Sequence, residues 1–178
     1  SHESRAFGDH KDESIDPEEM ILAPYHPDLP EMRNTYAKYA SAISRMDSLV
    51  GQAIENLKQD GLYENTIIVY NSDHGGVLAR SKRFLYSSGI HCPLIVRIPE
   101  KMKALYPKGK TPGSTMDRIV SFIDMPKTWV SLTGAEMTDN FQGRIFLGPN
   151  TEPESQYHFS WRERADERFD NVRVMRDK

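Results

Sequence analysis

Residues 66–99, TIIVYNSDHGGVLARSKRFLYSSGIHCPLIVRIP, decide how the chain reads. Residues 66–70 form a short β-branched apolar run, the composition of a strand buried on both faces of a sheet. The run stops at Asn71-Ser72, and Asp73-His74-Gly75-Gly76 follows. Two side chains able to bind a metal or handle protons therefore stand where a core strand becomes a loop. In open α/β sheets, ligands bind beyond the carboxyl ends of the strands. The two glycines are expected to let the backbone approach a ligand closely and take positive φ. Lys82 comes eight residues after His74, and a second apolar run at 94–98 returns to the sheet. The pattern points to a site for an anionic group, built from a metal and a cation.

Working outward, the stretch is preceded by a helical pattern. Met32, Tyr36, Tyr39, Ile43, Met46, Val50, Ile54 and Leu57 recur at spacings of three and four, one face of a long helix starting near Glu31. Gly61 is placed to close it as the C′ residue. Residues 1–30 carry no such period and read as an extended loop, stiffened by Pro24-Tyr25-His26-Pro27-Asp28-Leu29-Pro30. A helix leading by a short connection into a buried strand indicates α/β layering with a largely parallel sheet. His26 and His91 read as structural histidines, and Tyr36 and Tyr39 as core.

Beyond the central stretch, residues 101–115 form a basic loop containing Pro and Gly, and residues 118–122 read as a short strand. Asp124 is expected to N-cap a helix over 125–132 that Gly134 ends. Residues 140–153 read as a loop. Residues 157–161 and 172–175 alternate like two antiparallel strands, with a charged segment at 162–170 between them.

The 178 residues suffice for one sizeable domain or for a piece of a larger one. A net charge of −3 gives no electrostatic case for nucleic acid. No apolar run reaches transmembrane length, and no signal-peptide core is present. Cys92 is the single cysteine, which excludes an internal disulfide.

The run RMDSLVGQAIENLKQDGLYENTIIVYNSDHG at 45–75, followed by Lys82, Tyr86, Gly89 and Pro93 in K-x-x-x-Y-x-x-G-x-x-x-P, resembles the sulfatases of the alkaline-phosphatase superfamily. PYHPDLPEMR at 24–33, FIDMPKTWVSLTG at 122–134 and WRERADERFDNVRVMRD at 161–177 resemble stretches of the same family in the same order. The resemblance implies an α/β sandwich with helices on a mostly parallel sheet, incomplete in this chain. Residues 1–150 would be the C-terminal portion of the catalytic domain, and 151–178 the start of a small antiparallel C-terminal subdomain.

The activity implied is hydrolysis of sulfate esters or sulfamates, on a sulfated glycan or aryl substrate, with a divalent metal. By position, Asp73 and His74 would be metal ligands, and Lys82 would hold a sulfate oxygen. His2 would face the leaving group as the general acid, a role suited to a side chain titrating near neutrality. A carboxylate suits calcium or magnesium, whereas imidazole favours zinc, manganese or iron, so His74 leaves the metal open between Ca2+, Mn2+ and Zn2+. The family's formylglycine nucleophile arises in a C/S-x-P/A-S-R motif. Cys92 is followed by Pro93-Leu94-Ile95 and does not match it. Nor does the chain show the acidic pair of metal ligands found near the family's N-terminus. The formylglycine is therefore expected in a preceding part of the protein, and this piece alone is expected to be inactive. Location would be extracellular, periplasmic or lysosomal by resemblance.

Each assignment has a plainer alternative. Asp73 could cap a turn while His74 packs at the strand end, and His2 could be a simple terminal residue. Lys82 could be a solvated lysine beside Arg80 and Arg83, which are themselves assigned to the surface or to substrate recognition. Arg162, Arg164 and Arg168 read as a solvated charged segment. Two rival functions remain: a phosphoryl or phosphonate ester hydrolase on the same scaffold, and a non-catalytic truncated homologue.

Overall fold

The computed structural model describes residues 15–165 and 168–177. The chain gathers into two compact units. The first comprises Ser1–Tyr63 and Asn71–Leu94, and the second Glu64–Tyr70 and Ile95–Lys178.

Helix α1 spans Pro30–Gln59 and dominates the first unit. Proline at its first position has φ already fixed near the helical value and lacks only a donor that would go unused there. The helix ends in a Schellman motif: the Gly61 N–H donates to the Lys58 carbonyl at 3.0 Å, and the Leu62 N–H to the Leu57 carbonyl at 2.8 Å. Gly61 takes φ +68°, so the expected C′ role holds. Met32, Tyr36, Tyr39, Met46, Val50, Ile54 and Leu57 are all half-buried, as their spacing requires, whereas Ile43 is exposed. The deepest positions are the small residues Ala37, Ser41 and Ala42 beside that stripe.

The segment before α1 is held by Arg33, whose fork donates to Asp28 at 2.5 and 2.7 Å and whose Nη1 reaches the Glu18 carbonyl at 2.8 Å. Residues 15–29 follow an extended path, as expected for them, apart from a 3-10 turn at Pro17–Glu19 capped by Asp16, and the earlier part of the expected loop lies outside the described residues.

Strands β1 (Ile68–Asn71) and β2 (Leu94–Arg97) pair in a two-stranded sheet. The expectation that the first is buried on both faces is corrected: Val69 is 36% exposed, and Ile95 on the neighbour is 62% exposed. A strand with one paired neighbour shows the in-out alternation of a half-covered sheet rather than a continuous buried run. Between the two strands lies a single-turn helix, α2, at Ser87–Ile90.

In the second unit, residues 118–122 form no strand. Their backbone donors go to carboxylates instead, Ile119 N–H to Glu154 at 2.8 Å and Ser121 N–H to Asp124 at 2.8 Å. Helix α3 covers Asp124–Thr133, with Ile123 at its N-cap and Gly134 in the left-handed conformation after it. Asp124 is therefore the first helical residue, not the cap. Its buried carboxylate binds backward to Ser121 and also takes the Arg144 N–H at 2.8 Å.

Against α3 lies the loop at 140–153, which supplies the core of this unit. Ile145, Phe146 and Leu147 are buried, and Trp129 meets Phe146 edge-on at 5.5 Å. Thr128, wholly inaccessible, donates to the Asp124 carbonyl at 2.8 Å and accepts the Phe146 N–H at 3.2 Å. The Glu152 carboxylate takes the Ile145 N–H at 2.6 Å and Lys127 at 2.9 Å.

The chain ends in an antiparallel pair, β3 (His158–Ala165) with β4 (Arg168–Arg176), irregular in register between Arg162 and Arg164. The strands extend into the charged segment expected to lie between them. Arg162 is half-buried and ion-paired with Asp170 rather than fully solvated. Phe159, Trp161 and Phe169 are exposed.

Candidate active site

All the candidate residues that the structure describes belong to the first unit and stand on the excursion between β1 and β2. Just past β1, the Ser72 hydroxyl donates to the His74 carbonyl at 2.6 Å, tightening the turn. His74 Nδ1 lies 2.7 Å from the Gly75 carbonyl, which can only accept, so Nδ1 carries the proton. In the neutral ring this leaves Nε2 as the lone-pair nitrogen, and it faces Asp73 Oδ1 at 3.5 Å.

A carboxylate oxygen facing an imidazole lone pair is a donor pair suited to a shared cation. The backbone carbonyl on the far ring nitrogen fixes the tautomer a metal ligand needs. Among the described residues, no three or more His, Cys, Asp and Glu side chains gather into a metal cluster. Asp73 and His74 thus fit part of a divalent-metal site that no third His, Cys, Asp or Glu among the described residues joins.

The glycines after His74 work differently from expectation. Neither has positive φ, and the close approach they permit is to the chain itself. A Cβ on Gly75 would collide with the Ser88 carbonyl, and one on Gly76 with the ring and hydroxyl of Tyr39 on α1. The Gly75 N–H donates to the Gly89 carbonyl at 2.8 Å, closing the base of the loop. Gly89 is just as confined, since a side chain there would strike the carbonyls of Phe84 and Ser81.

Lys82 is half-buried, and its amide donates to the Gly76 carbonyl at 2.9 Å, which folds it back beside the segment that follows His74. The residues on either side of Ser81-Lys82 are left-handed without being glycine, Arg80 at φ +60° and Arg83 at +73°. Such conformations persist where surrounding contacts over-determine them. Here the buried Ser81 hydroxyl donates to the Ser88 carbonyl at 2.6 Å, and the Ser88 hydroxyl donates to the Arg80 carbonyl at 2.6 Å. Nothing in the sequence pattern marks Ser81 or Ser88 as braces of this loop.

His26 is the other brace. Its Nε2 must donate to the Ala79 carbonyl at 3.0 Å, so Nδ1 accepts from the Tyr36 hydroxyl at 2.8 Å. That hydroxyl in turn accepts the Ala23 N–H at 3.0 Å. The structural reading of His26 holds, and the ring joins α1 to the loop bearing Lys82. The Cys92 thiol is pushed up by burial and, secondarily, by the negative charge of Asp73, which keeps it protonated and a poor nucleophile. The position assigned to His2 lies outside the described residues.

Asp73 and His74 thus stand together just past the end of β1, and Lys82 follows on the loop that its own amide ties back to Gly76. The fold is that of the alkaline-phosphatase superfamily. One solved structure, of a protein with its substrate D-glucosamine-2-N,6-O-disulfate, superposes with TM-score 0.69 at 24% identity, covering 83% of this chain and 31% of that one. A phosphonate monoester hydrolase from Silicibacter pomeroyi superposes with TM-score 0.61 at 26% identity, covering 89% of this chain and 30% of that one. The Sulfatase family profile matches residues 2–135, and an ulvan-active sulfatase from Formosa agariphila is 36% identical over 158 residues, 88% of this chain. The chain belongs to the sulfatase family. It spans 25% of the length of that relative.

Proposed function

We propose that the whole protein to which this sequence belongs hydrolyses sulfate esters or sulfamates of a sulfated glycan, with Asp73 and His74 binding a divalent metal. The observation that carries this reading is the 3.5 Å approach of Asp73 Oδ1 to His74 Nε2, with Nδ1 anchored to the Gly75 carbonyl. The sulfated substrate of the solved neighbour supports the glycan class.

When bound, the metal supplies Lewis acidity at an oxygen of the sulfuryl group. Lys82 holds a second sulfuryl oxygen as a point cation that needs no bidentate geometry. Lys82 meets part of the charge that develops on those oxygens. His2 delivers a proton to the departing oxygen or nitrogen. Calcium suits the hard Asp73 oxygen, while the His74 nitrogen leaves manganese and zinc as alternatives. The nucleophile, a formylglycine in this family, is contributed from outside this sequence. Residues 1–150 form the C-terminal portion of the catalytic domain, and 151–178 begin a small C-terminal subdomain.

A second reading, a phosphonate or phosphoryl ester hydrolase, is motivated by the superposition on the phosphonate monoester hydrolase. The full-length protein is to be assayed on matched 4-nitrophenyl sulfate and phenylphosphonate monoesters, and on a sulfated disaccharide. Turnover of the sulfates above the phosphonate supports the first reading. The reverse order rejects it.

A further inference from the structure

Arg80 differs from the other well-held arginines of the described chain. Arg33, Arg97 and Arg162 each pair with a carboxylate, those of Asp28, Glu64 and Asp170. Among the described residues, no carboxylate pairs with Arg80. Its guanidinium carbon instead stands 4.9 Å from the Tyr25 ring centroid and 4.5 Å from that of Tyr86. Tyr86 stacks in turn on Phe84 at 6.1 Å, the planes 16° apart. All four side chains reach solvent: Tyr25 is 44% exposed, Tyr86 51% and Phe84 39%, and Arg80 is exposed as a residue.

The backbone is arranged to hold this group. Arg80 takes a left-handed φ that L-residues adopt only at a cost. The Ser88 hydroxyl on its own carbonyl and the His26 imidazole on the preceding carbonyl keep it there. Contact with aromatic faces satisfies a guanidinium's charge without using its N–H groups. The in-plane fork stays available for a planar or tetrahedral oxyanion, the geometry in which arginine outperforms lysine. Arg80 also lies two residues before Lys82, on the same closed loop.

We propose that Arg80, steadied by Tyr25 and Tyr86, is a subsite for a second oxyanion, a sulfate or a carboxylate, on a glycan whose cleaved sulfate is held by Lys82. This rests on the reading of the protein as a glycan sulfatase. The subsite selects substrates by their second charge and takes no part in bond breaking.

The test uses full-length wild type, Arg80→Gly and Arg80→Lys. Glycine adopts positive φ freely, so the first variant removes the guanidinium without disturbing the loop. The four probes are 4-nitrophenyl sulfate, a neutral monosulfated disaccharide, a disulfated disaccharide, and a monosulfated disaccharide carrying a uronate. Arg80→Gly is expected to lose roughly tenfold more kcat/KM on the doubly charged disaccharides than on the singly charged probes, through KM, in keeping with one lost charged hydrogen bond. Arg80→Lys is expected to recover part of it. A selective loss on the disulfated sugar alone assigns the second anion as sulfate, and on the uronate alone as carboxylate. Equal losses on all four probes, or no loss on any, overturn the subsite. If wild type cleaves none of these esters, the sulfatase reading fails by itself. Calorimetric binding of the disulfated disaccharide then still decides the subsite, and equal affinities for wild type and Arg80→Gly overturn it.

Discussion

Tyr36 on α1 and His26 in the preceding loop share a hydrogen bond of 2.8 Å, and this contact sets the position of the loop that carries Lys82. The phenol gathers the Ala23 N–H and the imidazole, and the imidazole passes the constraint to the Ala79 carbonyl. Tyr36→Phe removes only the oxygen, yet it strands two polar partners in a half-buried place. A loss of about 1–3 kcal/mol of stability is expected in urea unfolding of the full-length protein. The Lys82 loop should also become more sensitive to proteolysis, because its brace at Ala79 is loosened.

The glycines give a paired test of close approach. Gly75→Ala drives a methyl group into the Ser88 carbonyl and strains the Gly75 to Gly89 bond, and about 1–3 kcal/mol of destabilisation with loss of turnover is expected. Gly51 sits mid-helix in α1 with nothing within 4 Å of its Cβ position. Gly51→Ala should therefore stabilise by about 0.5–1 kcal/mol through helix propensity alone. Thermal melts of both variants check the two signs at once.

Metal binding tests the Asp73 and His74 pair directly. Asp73→Ala is expected to weaken calcium affinity by more than the roughly 10–100-fold typical of losing an outer-shell partner. His74→Ala should shift preference toward calcium over zinc, since only the oxygen donor remains. Calorimetric titration with each metal reads both effects, and an Asp73→Ala protein with wild-type affinity would reject the assignment. Chelator treatment of the wild type should abolish turnover, and added calcium, manganese or zinc should restore it.

Glu152 makes one part of the second unit acid-sensitive. The Ile145 N–H, and after it the Lys127 ammonium, hold its carboxyl below the ordinary 4.5. A depressed folded-state value means the stabilisation is fully present above pH 4.5 and is lost as pH falls through that lower value. Urea midpoints followed downward from pH 6 should fall less steeply below pH 4.5 for Glu152→Gln than for wild type. The variant should also be less stable at neutrality.

Much of the fold was legible because it rests on local chemistry. The spacing of Met32 through Leu57 fixed one face of α1, and Gly61 could end it because a left-handed C′ residue is nearly always glycine. The antiparallel alternation around Trp161 and Val174 was equally local. What escaped were arrangements made by partners distant in sequence. Residues 118–122 have a strand's composition, but their donors are taken by Glu154 and Asp124. Ile145, Phe146 and Leu147 sit in a stretch of loop character and still form the core, because Thr128 and Glu152 satisfy their backbone. At the candidate site, Asp73, His74 and Lys82 stood out by residue type and motif. The braces Ser81 and Ser88 carry no periodic or motif signal, and the periodicity that puts Tyr36 on the inner face of α1 says nothing of its hydroxyl's bonds to His26 and Ala23.

The bond from Gly75 to the Gly89 carbonyl joins the two feet of the Lys82 loop. A ring closed at its feet isolates what lies on its outer arc from what lies beneath. Residues added or exchanged along the arc leave that bond, and with it the backbone just after Asp73 and His74, in place. Closing a longer ring costs only a little more, about 0.6 kcal/mol for each doubling of length. The arc can therefore change in length and composition while its two feet stay tied.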